Sequence, residues 1–119
     1  METMTKQLSE AVLLRDALLA RSIVISMHRA RSALSECPCP RRISPDALIV
    51  SAALLELLAS RWGLVAPVWT QAVGGLSMPF YVTSLALRSA RERAMCERES
   101  PLPLKRRNVF APGEFLTFA

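Results

Sequence analysis

Apolar residues recur along the first third of the chain with the spacing of a helix. Ala20, Ile23, Met27, Ala30 and Leu34 follow alternating steps of three and four, which puts them on one face. Leu8, Ala11, Val12, Leu14, Leu18 and Leu19 extend that surface, while Glu10, Arg15, Asp16, Arg21, Arg29 and Arg31 occupy the rest. No Gly or Pro interrupts residues 4–36, so the pattern predicts a long N-terminal helix, about 50 Å if straight at about 1.5 Å per residue. A rod of that length either breaks near Ala20–Ser22 or projects toward a partner. Cys37-Pro38-Cys39-Pro40 ends it, because proline cannot donate the helix hydrogen bond.

The second predicted helix has the clearest boundaries. Ser44 is a good N-cap, Pro45 suits the first helical position, and Asp46 complements the positive end of the helix dipole. Gly63 supplies the stop. Between them Leu48, Ala52, Leu55, Ala59 and Trp62 form a stripe that Leu54, Leu57 and Leu58 widen, with only Ser51, Glu56, Ser60 and Arg61 interrupting. A helix this apolar around its circumference belongs at the centre of a fold. Leu64 to Met78 reads as a linker pinned to the core by Val68, Trp69 and Val73. A third helix is expected from about Pro79 to Cys96–Arg98, with Val82, Ala86, Ala90 and Ala94 on one face and Arg88, Arg91 and Arg98 on another. Ser100-Pro101-Leu102-Pro103 closes it. Phe110, Phe115 and Phe118 crowd the tail, which is therefore expected to dock on the body. The expected fold is all-α, a small bundle of three to four helices with a long N-terminal helix and a docked, irregular C-terminal tail. Segments 1–36 and 44–119 would share one domain.

Composition narrows the class. Of 119 residues 51% are hydrophobic and 21% charged, too apolar a balance for a disordered chain. The net charge is +5, which favours an acidic partner surface. Residues 62–87 carry no charge and are numerous enough to span a bilayer, but Pro67, Gly74, Gly75 and Pro79 break the continuous helix that spanning requires. The start of the sequence lacks the basic residues and apolar run of a secretory signal. With three cysteines, an odd number, the expectation is a cytoplasmic setting and free thiols.

Candidate chemistry is sparse. His28 is the single histidine and lies mid-helix beside Met27 and Arg29, with no nucleophile at an obvious spacing. Cys37, Cys39, Cys96 and His28 could supply four zinc ligands on paper, but the C-x-C step is not the usual spacing of a zinc site. Gly74-Gly75 is followed by Leu76-Ser77-Met78 and no lysine, unlike a phosphate-cradling loop. The expectation is therefore no catalytic site, no metal and no cofactor. Basic residues are the remaining signal. Arg41-Arg42 and Lys105-Arg106-Arg107 are the dense clusters, suited to a nucleic-acid backbone or to an acidic protein groove. Direct reading of DNA by a helix-turn-helix is disfavoured, because the second helix is too apolar to serve as a recognition helix.

A family resemblance enters through the order of features over residues 47–119. After the leucine-rich helix come Arg61-Trp62-Gly63-Leu64, Pro67-Val68-Trp69 and Pro79-Phe80. Ser100-Pro101 and the string Lys105-Arg106-Arg107-Asn108-Val109-Phe110 follow. This order resembles small bacterial antitoxin or regulatory proteins encoded beside nucleotidyltransferase-like toxins of the AbiEii kind, and the C-terminal halves of some helix-turn-helix regulators. The uncharged stretch Thr70–Met78 departs from their pattern, which is more acidic and polar there. The resemblance implies a non-catalytic protein that neutralises a toxin enzyme by direct contact. Arg106, Arg107 and Asn108 would be polar contacts beside Lys105, with Phe110 and Trp69 as anchors. The competing reading is that Trp69 and Phe110 only lock the linker and tail onto the second helix. Two other functions stay open at this point: a basic nucleic-acid-binding accessory protein, and a helical assembly subunit that forms homo-oligomers through residues 4–36.

Overall fold

Five α-helical segments order the chain in the computed structural model, which describes residues 1–117. They are α1 (Glu2–Leu13), α2 (Ala17–Arg29), α3 (Pro45–Trp62), α4 (Ala90–Glu99) and the single turn α5 (Leu102–Lys105). Two short strands, β1 (Phe80–Tyr81) and β2 (Val109–Phe110), pair in parallel, and 3-10 turns fill Arg31–Glu36, Val68–Ala72 and Leu85–Leu87. The fold class is all-α. Phe118, one of the residues expected to dock, lies outside the described residues.

The second predicted helix is α3, with the expected ends. Ser44 Oγ accepts from Ala47 N at 3.2 Å, and Gly63 takes the left-handed conformation (φ 67°) that stops the helix. Every residue from Val50 to Ala59 is buried. α1 and α2 pack on each other and α1 lies along α3, so Leu8, Val12, Val24 and Met27 join Leu54, Leu55 and Leu58 in one core. Tail residues Phe115 and Leu116 pack against the same core. Arg61 fastens them, donating to the carbonyls of Phe115 and Gly113.

The N-terminal segment is two helices and not one long helix, and the break falls at residues 14–16, not at Ala20–Ser22. Arg15 N donates to Val12 O and Asp16 N to Ala11 O, both at 2.9 Å, the bond pattern of a Schellman stop. Arg15 itself has φ 56°, where glycine is usual and other residues are disfavoured by about 1–2 kcal/mol. Tertiary contacts offset that cost. Arg15 Nε donates to Tyr81 O at 2.9 Å, and the guanidinium lies 4.5 Å from the centre of the Phe80 ring. Asp16 then caps α2 by accepting from Leu19 N at 3.1 Å. The segment folds back into the core and does not project.

The third predicted helix starts eleven residues late, at Ala90 instead of Pro79. Phe80, Tyr81 and Val82 are aromatic and β-branched, and their backbone is used for strand pairing: Phe80 N donates to Asn108 O and Val82 N to Phe110 O. Helix formation resumes where Ser89 Oγ accepts from Glu92 N at 3.2 Å, the Ser-x-x-Glu spacing of a capping box. No helix among the described residues is long and apolar enough to cross a membrane.

All three cysteines are free, with Cys37 and Cys96 buried and Cys39 exposed. Burial pushes the Cys37 and Cys96 thiols above their ordinary value, which disfavours the reactive thiolate. A disulfide reagent such as DTNB is expected to titrate one thiol promptly in the native protein and the other two only in denaturant. Prompt reaction of all three would contradict this packing.

Candidate binding site

The basic string begins at the last residue of α5, whose turn closes when Lys105 N and Arg106 N donate to Pro101 O and Leu102 O. Asn108 then takes φ 66° and redirects the chain into β2. Asparagine tolerates this conformation better than most residues. Its side chain adds a bond, Nδ2 donating to Leu76 O at 3.2 Å, while Leu76 N donates to Arg107 O at 3.0 Å. The string is thus the inner partner of residues 76–82. Asn108→Gly is expected to lose little more than that one bond. Asn108→Val places a β-branched residue at positive φ and is expected to lose at least about 1–2 kcal/mol more, read by urea denaturation.

Three neighbouring cations have three different environments. Arg107 is only 5% exposed and lies against Glu56, which is 9% exposed. Both terminal nitrogens of Arg107 donate to the Glu56 carboxylate, and Nη2 also donates to Thr70 O at 2.7 Å. Arg106 is half-exposed and donates through Nη2 to Glu56 Oε1 at 2.5 Å. Lys105 is exposed. Burial alone would raise the Glu56 carboxyl, but the hydrogen bonds from Arg107 and Arg106 outweigh it and hold the group below the usual carboxylate range. Glu56 is therefore ionised, and one carboxylate serves two guanidiniums.

Above this triad lies a cleft of about 320 Å³, lined by Glu56, Gln71, Gly74, Gly75, Arg106 and Arg107 among others. Gly75 rests on the backbone of Arg107, where a Cβ would come within 3.1 Å of Arg107 Cα. A side chain there would force the two segments apart, so glycine is what allows the cleft wall to approach.

Of the residues expected to touch a partner, Lys105 and Arg106 are open to solvent and Arg107 is enclosed. Trp69 is part-buried and spends its ring N–H on Cys37 O at 2.8 Å. Phe110 stacks on Tyr81 with ring centres 5.4 Å apart. Asn108 lies in the strand pairing. Glu56, Gln71, Gly74 and Gly75 were not anticipated as site residues, although a single carboxylate inside the most apolar helix is the signal that could have found Glu56. His28 packs edge-on against Trp62, and no group of three His, Cys, Asp or Glu that could hold a metal forms among the described residues.

Fold and site together define an all-α protein in which a buried carboxylate–guanidinium pair supports a half-exposed arginine. Comparison with protein-family models, with curated proteins and with solved structures finds no match.

Proposed function

We propose that this chain is a non-catalytic binding protein of the antitoxin kind, acting in the cytoplasm to neutralise a nucleotidyltransferase-like toxin enzyme by direct contact. The observation that supports this reading is the placement of Arg106. Its side chain is 53% exposed, yet the guanidinium is tied to a buried carboxylate, beside the exposed Lys105. A pre-positioned arginine loses less conformational freedom on binding than a free one, and arginine is among the residue types that most often dominate interfaces. An enzyme that handles nucleotides and metal presents acidic groups, which suit such a cation. Arg107 contributes by fixing Glu56, and Trp69 and Phe110 by holding the supporting segments.

Co-expression with the product of the adjoining gene tests the reading. That product should arrest growth alone, be silenced by this chain and co-purify with it. Arg106→Glu with Lys105→Glu should abolish rescue while the circular dichroism spectrum is kept. A harmless neighbour, or rescue untouched by the charge reversal, refutes it. Steeply salt-dependent binding to duplex DNA, lost in the same variant, would instead favour the nucleic-acid alternative.

A further inference from the structure

We propose that the cleft beside Arg106 is an oxyanion site that takes the phosphate or carboxylate group of a ligand. This goes beyond the partner reading, because it concerns a small group that the cleft would hold whether or not a protein carries it.

Charge is the first argument. Glu56 neutralises one of the two guanidiniums it touches, so one positive charge remains at the wall of a 320 Å³ cavity. Donor accounting is the second. Arg106 spends Nη2 on Glu56, and its Nη1 and Nε have no acceptor among the described residues. Arg107 spends both terminal nitrogens, yet its buried Nε has none. Arg107 Nε is shut off from the open cleft, so the donors offered to an acceptor there are the two free nitrogens of Arg106. Gly74 and Gly75, which pack beside Arg107, add to this. They bring bare backbone to the cavity, the strand bonding begins only at Leu76 N, and the amide of Gln71 lines the same space. Gly74 N and Gly75 N make no hydrogen bond among the described residues, and unpaired N–H groups in a cleft lined by an arginine suit an oxyanion.

Size and lining limit the ligand. The volume is at the small end for ligand pockets, and among the described residues Val73 is the one hydrophobic residue that lines it. A phosphate or carboxylate group is suited to it; a nucleobase would have little to stack on. The sequence has no lysine after Gly74-Gly75, but the fold supplies the cation from the far end of the chain.

The test is a titration of the full chain with inorganic phosphate at fixed ionic strength. It is followed by amide and arginine Nε signals in ¹H–¹⁵N spectra and by thermal shift. Saturable shifts are expected at Gly74, Gly75 and Arg106 Nε, with a rise in melting temperature. Arg106→Gln should weaken them about tenfold or more. Arg21→Gln, which removes the same charge from an exposed position on α2, should leave them unchanged. Non-saturating shifts, or equal shifts in Arg106→Gln, overturn the proposal. Displacement of phosphate by glutarate assigns a carboxylate-bearing ligand such as an acidic side chain, and retention assigns a phosphate ester. Toxin rescue and the phosphate titration are read separately, so the failure of either leaves the other standing.

Discussion

Glu56→Ala is expected to lower the unfolding free energy by about 3–5 kcal/mol, because it strands the Arg107 guanidinium inside the protein. Arg107 is 5% exposed and cannot rotate out to water without opening the contacts among Thr70, Gly75 and Leu76. For a protein of ordinary stability, about 5–15 kcal/mol in total, that loss is a large fraction. Arg106→Gln is expected to change stability by less than about 1 kcal/mol, since its side chain is half in solvent and Glu56 keeps Arg107. Replacing both buried partners, Glu56→Leu with Arg107→Leu, should recover much of the loss, because the stranded charge goes with its partner. Urea denaturation of the four variants decides the matter. Equal effects of the Glu56 and Arg106 changes would show that burial of the pair is not what makes it matter.

The same pair sets an acid limit. In the fold the Glu56 carboxyl is held below its usual range, by Arg107 and Arg106 against the opposing effect of burial. Between the folded and unfolded values the unfolded chain binds more protons, so stability rises with pH there. The contribution is complete above the unfolded value of about 4.3 and is lost as pH falls through the lower folded value. Glu56→Gln should flatten this part of the pH–stability curve.

Local signals were legible in the sequence where neighbouring residues alone decide the structure. Ser44-Pro45 and Gly63 mark the ends of α3 because a cap and a left-handed stop depend on a few adjacent residues. The break at Arg15 was hidden, since arginine occupies a glycine-like conformation only because Tyr81 O and the Phe80 ring hold it there. The strand at 80–81 was hidden for a related reason: its partner lies at 109–110. In the basic string, three adjacent cations look alike in sequence, and only the fold makes Arg107 a buried strut and Arg106 the exposed contact. The selection comes from Glu56, which meets Arg107 across 51 positions of chain. Reading the one acid in the interior of an apolar helix as a demand for a cation would have linked the two.

Leu55→Ala carries the other large effect, about 3–5 kcal/mol destabilising. Leu55 is 0% exposed on the helix that α1, α5 and the turn at Val68–Ala72 all touch, so removing its methyl groups leaves a cavity that no single neighbour can fill. Leu55→Met, which nearly conserves volume, should cost less than about 1.5 kcal/mol. Leu18→Ala, at a residue 84% exposed, should stay within about 0.5 kcal/mol. Ser51 sharpens the comparison: its hydroxyl is buried on the same helix without a partner among the described residues, so Ser51→Ala is expected to be neutral or stabilising. The order of these changes separates two pictures of α3. If shape-filling holds the helix, Leu55→Ala is severe and Ser51→Ala harmless. If the Glu56 pair were its main fastening, Leu55→Ala would be mild while Glu56→Ala stayed severe. Packing on both sides of the helix argues for the first, with the ion pair fixing where the tail and the Gly74–Gly75 segment attach to a support that the leucines already hold rigid.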